Sequence, residues 1–344
     1  MSLLLEALNI GKVFRGGNRL FGESTETIAV DNFSLAIDAD NPSFTTIAGE
    51  SGSGKTTIAR MLLGVLDPSA GQVLYQGLDI RELEKGEQRD FRQDVQAIFQ
   101  DPFEVYNPFY KIDHILTTPI QKFGLAASKA EAYEQIQQAL RTVGLRPEET
   151  LGRYPHQLSG GQRQRITIAR ALLLKPRLII ADEPVSMVDA SLRATILSSL
   201  HTLYRDFGIS FIYITHDLTT AYQVSENIVI LFHGAVVEAG DTEKVIKNPQ
   251  HPYTRELIHS IPVPEPGRDW IEEAVEEKEV DDPESEEHTS GCRYALRCPQ
   301  AMSTCSVRPP FFHTEAQRAV ACFLYEEKPL LPDSELGRVF QVRD

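Results

Sequence analysis

The chain has 344 residues, of which 42% are hydrophobic and 24% are charged, and its formal net charge is −15. These values are typical of a globular protein with about two domains, and the acidic balance argues against nucleic acid or an anionic bilayer surface as the main ligand. No run approaches the length of an uncharged apolar membrane helix, and Glu6 interrupts the apolar residues 3–5, so we expect a chain that is neither secreted nor membrane-spanning.

The first 48 residues are predicted to be rich in β-strands. Residues 8–10 and 33–37 alternate between apolar and polar side chains, as half-buried strands do. Residues 15–26, between them, are a polar insertion that contains glycine. Phe14 ends the first predicted strand, where its ring could stack on an adenine, and a plain core position is an equally compatible alternative.

Residues 49–57 read GESGSGKTT and match the pattern GxxxxGK[ST] of a phosphate-binding loop. The β-prone residues 44–48 precede the loop and the helix-favouring residues 57–63 follow it, so backbone N–H groups and a positive helix end would point at phosphate. A glycine-rich surface turn is the alternative. The residues predicted to bind phosphate are Gly49, Ser51, Gly52, Ser53, Gly54, Lys55, Thr56 and Thr57.

A second glycine-rich segment follows a mostly helical region. Strands are predicted at 72–75 and at 95–99, the latter ending in Gln100, and 130–143 is the clearest amphipathic helix. A loop at 150–157 then leads to residues 158–162, which read LSGGQ. Ser159 is a good N-cap for a helix over 163–174, and Gly160 and Gly161 leave the amides bare for an anion. A purely structural cap is the alternative.

Polar side chains end two further apolar strands. Residues 178–181 deliver Asp182 and Glu183, and residues 210–215 end in His216. Adjacent carboxylates at a strand end suit a Mg²⁺ ligand, Asp182, beside a general base, Glu183, with a solvent-exposed acidic strand end as the alternative. Because strand ends of a parallel sheet share one edge, one ligand crevice could collect these groups together with Gln100.

Taken together, these segments resemble the ATP-binding subunits of ABC transporters over residues 1–262. The order of the motifs is highly specific, because we expect no other phosphate-loop family to carry LSGGQ between the Gln100 segment and the 178–182 strand. The matching motifs are Walker A at 49–56, the Q-loop at Gln100, the signature at 158–162, Walker B at 178–182 with Glu183 as the catalytic glutamate, the D-loop at 186–189, and the switch histidine His216.

The resemblance implies an α/β fold, a P-loop ABC ATPase with a RecA-like core, an antiparallel β subdomain, a helical subdomain and a small irregular C-terminal domain. The implied divisions are an ATPase domain at 1–240 with its helical subdomain at about 100–165, a connecting segment at 241–267, an acidic linker at 268–290 and a cysteine-bearing module at 291–344. Residues 268–287 alone carry eleven acidic residues.

The resemblance also implies ATP and Mg²⁺ as cofactors and a head-to-tail pair of subunits around each ATP. Lys55 and Asp182 of one subunit would then face Ser159 of the other. The implied catalytic residues are Glu183, His216, Lys55 and Gln100; Thr56, Gln100 and Asp182 would bind Mg²⁺; and Phe14, Gln100, Ser159, Gly160, Gly161, Gln162, Asp182 and Asp189 join the loop residues in the ATP site.

Two segments resemble the oligopeptide/dipeptide importer subgroup, namely residues 154–157 and 248–254. Val188 replaces the commoner leucine of the D-loop, and residues 103–109 look more like members that serve oligosaccharide importers, so both solute classes stay open. The implied partners are two membrane-spanning permease subunits, a second ATP-binding subunit that is identical or paralogous, and indirectly an extracytoplasmic solute-binding protein. This places the chain at the cytoplasmic face of the cell membrane, without nucleic acid.

All four cysteines fall between positions 292 and 322, and no tight CxxC occurs among them. A disulfide framework is not expected in a chain without a signal peptide. The C-terminal extension of peptide-importer ATPases resembles this module, including residues 297–299, and some members bind a [4Fe-4S] cluster there. Zinc and free packed thiols are the alternatives. The candidate ligands are Cys292, Cys298, Cys305 and Cys322.

Two other functions compete with the energising ATPase of an importer. A soluble ABC ATPase that acts as a mechanical switch on nucleic acid or the ribosome is disfavoured by the single cassette, the absence of heptads and the acidic balance. An iron-sensing C-terminal module that gates the ATPase is compatible with the importer hypothesis.

Overall fold

The structure of the protein, a computed structural model, describes residues 2–16, 25–101, 106–261 and 291–340. Residues 103–105 of the segment that differs from the usual peptide-importer sequence and the acidic linker at 268–290 lie outside the described residues. The strands are β1 (Leu3–Gly16), β2 (Thr25–Asp38), β3 (Phe44–Ala48), β4 (Ala70–Tyr75), β5 (Leu78–Asp79), β6 (Val95–Ile98), β7 (Leu178–Asp182), β8 (Ser210–Thr215), β9 (Asn227–Phe232), β10 (Ala235–Asp241), β11 (Phe311–Glu315), β12 (Arg318–Val320) and β13 (Leu330–Leu331).

The helices alternate with these strands, as an α/β fold requires. They are α1 (Lys55–Leu62), α2 (Lys85–Asp94), α3 (Ile112–Phe123), α4 (Lys129–Thr142), α5 (Pro147–Thr150), α6 (Gly160–Leu172), α7 (Ala190–Phe207), α8 (Leu218–Val224), α9 (Thr242–Lys247) and α10 (Pro252–His259), with short 3-10 turns at Pro155–Gln157, Ser303–Ser306, Phe323–Tyr325 and Asp333–Arg338.

The larger sheet in the described part of the chain runs in the order β13, β11, β12, β10, β9, β3, β8, β7, β6. Strands β9, β3, β8, β7 and β6 are parallel, and every residue of β3, β7 and β8 is buried. Strands that are buried along their whole length need cover on both faces. The smaller sheet, β2, β1, β4, β5, is antiparallel and packs against α1 through a shared apolar core.

A second hydrophobic core joins the helical region to the parallel sheet. Ile112 and Leu116 of α3, and Ile136 and Leu140 of α4, pack in one cluster with Ile166 of α6. The amphipathic helix predicted at 130–143 is confirmed as α4, one residue earlier at each end. The predicted loop at 150–157 is partly wrong, because it contains the end of α5 and the 3-10 turn at Pro155–Gln157.

The two ends of the polar insertion at 15–26 belong to strands β1 and β2, and residues 17–24 lie outside the described residues. Arg15 pairs with Glu26 and Gly16 with Thr25 in the β1–β2 ladder. The two long side chains also form an exposed ion pair at 2.8 Å. The polar composition of these strand ends agrees with their exposure, because an exposed two-stranded ribbon needs no apolar alternation.

The C-terminal segment, expected to be irregular, also carries strands that continue the core sheet. Strand β12 pairs antiparallel with β10, and β11 and β13 follow outward. Arg318 of β12 donates to the Glu238 carboxylate of β10, and both side chains are fully buried. The C-terminal segment is therefore joined to the ATPase core by the sheet and by a buried ion pair.

Candidate nucleotide site

The carboxyl ends of the parallel strands gather the predicted polar residues at one edge, as expected from the sequence. The phosphate loop follows β3, Glu183 follows β7, His216 follows β8 and Gln100 lies two residues beyond β6. Since β3, β8, β7 and β6 are neighbours in that order, these groups line a continuous edge. This is where α/β sheets bind ligands.

Two glycines of the loop stand where no side chain fits. A Cβ on Gly49 would lie 2.2 Å from the Leu231 carbonyl oxygen, and one on Gly54 would lie 2.3 Å from that of Ala29. Gly54 also has φ 98°, in the left-handed region, as it caps α1. The motif therefore needs glycine at these positions so that the loop can lie against β2 and β9.

Lys55 is 5% exposed and folds back over the loop. Its Nζ donates to the carbonyl oxygens of Gly49 at 2.9 Å and Glu50 at 2.7 Å, and lies 3.4 Å from Ser53 Oγ. Burial lowers the pKa of Lys55, while the nearby carboxylates of Glu183, Asp182 and Glu50 oppose that shift. The ammonium group is thus held in the mouth of the loop, where phosphate oxygens can replace neutral acceptors.

Asp182 and Thr56 form the candidate Mg²⁺ site. Thr56 Oγ1 donates to Asp182 Oδ1 at 3.3 Å, and the Asp182 side chain is buried. Burial raises the pKa of Asp182 and Glu183 adds to this, whereas Thr56 and Lys55 oppose it. A hydroxyl beside a carboxylate is the hard-oxygen set that Mg²⁺ prefers, so these two residues fit the ion. Gln100 is exposed, and no hydrogen bond within the described ranges joins it to either residue.

Glu183 adopts an unusual backbone conformation that the sequence did not predict. Its φ is 45°, in the left-handed region, and its N–H donates to the Ile214 carbonyl oxygen at 2.9 Å. A non-glycine residue in this region stores strain of about 1 kcal/mol, which is common at functional sites. The turn directs the carboxylate to His216, whose Nδ1 lies 2.9 Å from Glu183 Oε1.

The LSGGQ segment starts α6 as predicted. Ser159 Oγ accepts from the Gln162 N–H at 3.2 Å, and Gln162 Oε1 accepts from the Ser159 N–H at 2.9 Å, which completes a capping box. A Cβ on Gly161 would lie 2.7 Å from Leu192 Cδ1, and one on Gly160 would lie 3.6 Å from the Met187 carbonyl oxygen. The segment therefore packs on the D-loop region, where exposed Asp189 precedes α7.

The structure does not bring LSGGQ to the phosphate loop of the same chain. No hydrogen bond or ion pair in the described part of the chain joins residues 159–162 to residues 49–57. The Ser159 side chain, at the positive end of α6, is exposed. Two incomplete anion sites on one chain are the arrangement expected if a second subunit completes each of them.

Phe14 lies on β1 with 43% of its surface exposed, and Lys12 Nζ is 5.5 Å from the centre of its ring. The alternative that Phe14 is a plain core residue is therefore wrong. Its role toward adenine stays a prediction.

Sequence reasoning missed two residues that contact the phosphate loop. Arg297 donates to both carboxylate oxygens of Glu50, and Tyr253 OH accepts from the Glu50 N–H at 3.0 Å. The available signal was Glu50 itself, because a carboxylate inside a phosphate-binding loop repels phosphate unless a cation lies near it.

The four cysteines are free, partly buried thiols. Burial raises the pKa of Cys322 to about 11, and the charges of Cys292, Cys298 and Cys305 add to this. The four thiols thus lie within electrostatic range of one another. Within residues 2–16, 25–101, 106–261 and 291–340, however, no group of three or more His, Cys, Asp or Glu side chains is arranged to hold a metal ion.

Comparison with known proteins agrees with this geometry. The sequence model of the ABC transporter family matches residues 30–186, and the model of the oligopeptide/dipeptide transporter C-terminal region matches residues 237–305. A probable peptide ABC transporter ATP-binding protein, y4tS of Sinorhizobium fredii, is 41% identical over 86% of this chain and 82% of that protein. The chain belongs to the ABC transporter ATP-binding subunits of the oligopeptide/dipeptide importer type. Such subunits are ATPases that power transport.

Other relatives cover nearly the whole of this ABC transporter subunit. The oligopeptide transport ATP-binding protein OppF of Haemophilus influenzae is 36% identical over 93% of this chain and 96% of that protein. Among solved structures, the dimeric post-hydrolysis state of the ATP-binding cassette MJ0796 bound to ADP and Pi has a TM-score of 0.60 at 28% identity, over 69% of this chain and 98% of that chain. No helix in the described ranges of the ABC subunit is long and apolar enough to cross a membrane.

Proposed function

We propose that this subunit hydrolyses ATP with Mg²⁺ to energise the import of peptides or oligopeptides. The observation that carries the proposal is the single sheet edge at which Lys55, Asp182 and Glu183 meet, with His216 bound to Glu183 at 2.9 Å. Peptide is preferred to oligosaccharide because the relatives named above are peptide or oligopeptide transport proteins and the oligopeptide/dipeptide C-terminal region matches.

Each residue has a role in this reaction. Lys55 and the N–H groups of the loop bind the β- and γ-phosphates, and Glu183 accepts a proton from the attacking water while it orients that water. His216 holds Glu183 in place through Nδ1, which leaves Nε2 to contact the γ-phosphate. Mg²⁺, when bound, neutralises charge on the phosphates, and Thr56 and Asp182 would hold it, with Gln100 joining from the end of β6.

A second ATP-binding subunit, identical or paralogous, completes the site in this proposal. Ser159, Gly161 and Gln162 would bind the γ-phosphate of an ATP held by the other subunit, with Gly160 and Asp189 beside them. Support comes from the separation of these residues from the chain's own phosphate loop, and from the dimer reported for the cassette MJ0796. Substitution of exposed Ser159 by arginine should abolish ATP-dependent dimerisation in sedimentation experiments and leave ATP binding to the monomer intact.

The remaining partners follow from the importer proposal. Two permease subunits would dock on the ATPase pair at the cytoplasmic face of the membrane, and a solute-binding protein would act through them. Nucleic acid and ribosome partners find no support in the peptide-transport relatives. The domain boundaries given for the sequence stay predictions.

The decisive experiment separates binding from turnover. Glu183→Gln should retain ATP binding and lose at least about 100-fold in turnover, since only the proton acceptor is removed. Lys55→Ala should instead weaken binding of ATP itself. Turnover by Glu183→Gln near the unsubstituted rate would show that another group activates water.

We also propose that the four cysteines hold a [4Fe-4S] cluster. The four thiols lie close enough to interact electrostatically. The Met302 N–H donates to Cys305 Sγ at 3.4 Å, and hydrogen bonds to sulfur of this kind suit a cluster with sulfur ligands. Zinc bound by the same four thiolates is the second candidate.

Anaerobic purification tests the cluster directly. The expected result is a brown protein containing iron, with both properties lost in Cys298→Ser. A colourless protein without iron would overturn the proposal, and zinc on elemental analysis would favour the second candidate. ATP hydrolysis by Cys298→Ser shows separately whether the module gates the ATPase or only supports its structure.

A further inference from the structure

Arg297 of the C-terminal module contacts the phosphate loop directly. Its two terminal nitrogens each lie 3.2 Å from an oxygen of the Glu50 carboxylate, a paired geometry across 247 positions of sequence. We propose that Arg297 is a positioning residue for the phosphate loop: it holds Glu50 and neutralises a carboxylate that would otherwise repel the nucleotide. The inference rests on the proposed phosphate-binding role of residues 49–56.

Arg297 is itself held in a fixed position. Its guanidinium lies 5.6 Å from the ring centre of Phe232 and 5.8 Å from that of Tyr294, and it also pairs with Glu256. An arginine whose guanidinium is stacked on aromatic rings and already paired with a carboxylate has few free rotamers. It therefore loses little further side-chain entropy when it binds a second carboxylate. The planar group is therefore prepared to receive Glu50 before any nucleotide arrives.

Glu50 is the loop residue that most needs this support. Its carbonyl oxygen accepts from Lys55 Nζ at 2.7 Å, and its carboxylate raises the pKa of the same lysine against the effect of burial. The carboxylate thus lies within electrostatic range of the group that binds phosphate. Left without a cation, it would repel ATP and compete with it for Lys55.

The backbone of Glu50 has a second support from the same direction. The Glu50 N–H donates to Tyr253 OH at 3.0 Å, and Tyr253 is fully buried against Phe232 and Tyr294. Tyr294 also packs near Arg297. One aromatic cluster, with Phe232 from β9, Tyr253 from α10 and Tyr294 from the C-terminal module, therefore supports both the main chain and the side chain of Glu50.

The test is a cycle of ATP-binding measurements on the full-length chain with a fluorescent ATP analogue. Arg297→Ala should weaken binding about fivefold at low salt and less at high salt, because the uncompensated charge of Glu50 is screened by ions. Glu50→Gln should restore binding in the double variant, because it removes the charge that Arg297 neutralises. Arg297→Lys should lie between, since it keeps the charge without the paired geometry.

Arg293→Ala is the matched control. Arg293 pairs with Asp31 at 3.2 Å, the same length of ion pair from the same module to the ATPase core, and no hydrogen bond or ion pair among the described residues joins it to the loop. Equal loss of binding in Arg293→Ala and Arg297→Ala, or no recovery with Glu50→Gln, would overturn the inference. If Arg297→Ala does not fold, Glu50→Gln with and without Arg297→Lys completes the cycle: an effect of Arg297→Lys that persists with Glu50→Gln would overturn it.

Lys55→Ala distinguishes failure of the phosphate-loop assignment from failure of the Arg297 proposal. If Lys55→Ala leaves ATP binding unchanged, the phosphate-loop assignment is wrong and the Arg297 inference falls with it. If Lys55→Ala weakens binding and Arg297→Ala does not, only the Arg297 inference is wrong.

Discussion

Glu183 Oε1 lies 2.9 Å from His216 Nδ1, so the ends of β7 and β8 are joined side chain to side chain above the sheet. Half of the His216 side chain faces solvent, whereas Glu183 is largely covered. The histidine can therefore reach a nucleotide while it holds the Glu183 carboxylate, the group proposed to activate the attacking water.

Replacement of His216 by alanine should lower the turnover number by about 100-fold, because a contact to the γ-phosphate and the partner of Glu183 are both lost. The affinity for ATP should change little, since Lys55 and the loop amides remain. Single-turnover hydrolysis and equilibrium binding measure the two effects separately. Loss of affinity with normal turnover would contradict the assigned role.

Gly54 should not tolerate alanine. The added Cβ would lie 2.3 Å from the Ala29 carbonyl oxygen at a φ of 98°, so the loop would have to move and ATP binding should be lost. Gly77, at φ 85° with nothing within 4 Å, is the control. Gly77→Ala should cost about 1 kcal/mol of stability from backbone strain and leave ATP binding intact. Calorimetry and nucleotide titration of both variants test this contrast.

The buried ion pair of Arg318 with Glu238 should be essential for stability. Arg318→Met leaves the Glu238 carboxylate buried without its cation and should lower the free energy of unfolding by about 3–5 kcal/mol. Arg338→Met removes a pair with Glu6 at 3.3 Å that is 56% exposed on the arginine side, and it should cost under about 1 kcal/mol. Urea unfolding of the two variants compares them, and similar losses would refute the special role of burial.

His251 should make stability fall in mild acid. The residue is buried, its Nδ1 accepts the Tyr253 N–H at 3.1 Å, and burial together with Arg255 lowers its pKa to about 3. Below about pH 6.5 His251 binds a proton in the unfolded chain but stays neutral in the folded chain. Its contribution to the free energy of unfolding is therefore complete above pH 6.5 and is lost as pH falls toward 3.

Between pH 7 and pH 5 the loss from His251 should be about 2 kcal/mol. His251→Asn keeps an acceptor for the end of α10 and cannot titrate, so its unfolding free energy should fall less over the same interval. Urea unfolding at both pH values gives the difference. An unchanged pH dependence in His251→Asn would show that other groups control it.

Local patterns predicted most of the candidate site. Asp182, Glu183 and His216 each follow an apolar run, and parallel strands necessarily end at one edge, so the sequence alone could place them together. The φ of 45° at Glu183 could not be predicted, because neighbouring residues do not encode a strained turn that the surrounding fold imposes.

Contacts between distant segments escaped the sequence analysis. Arg318 and Glu238 are 80 positions apart, and β12 is only three residues long, which is too short for an alternating pattern. Arg297 has no local connection to Glu50, which lies 247 positions earlier in the chain. Residue spacing carries information about one helix or strand, whereas these pairs depend on how separate strands assemble.

The pairing of β12 with β10 has a consequence for synthesis of the chain. A nascent chain that has emerged as far as β10 already contains the phosphate loop, LSGGQ, Glu183 and His216, yet the N–H and C=O groups on one side of β10 still lack β12. Such an open edge is a template for pairing with other chains. Interrupted products that end before residue 318 should therefore aggregate, or be recognised by chaperones and proteases, and not accumulate as free ATPases.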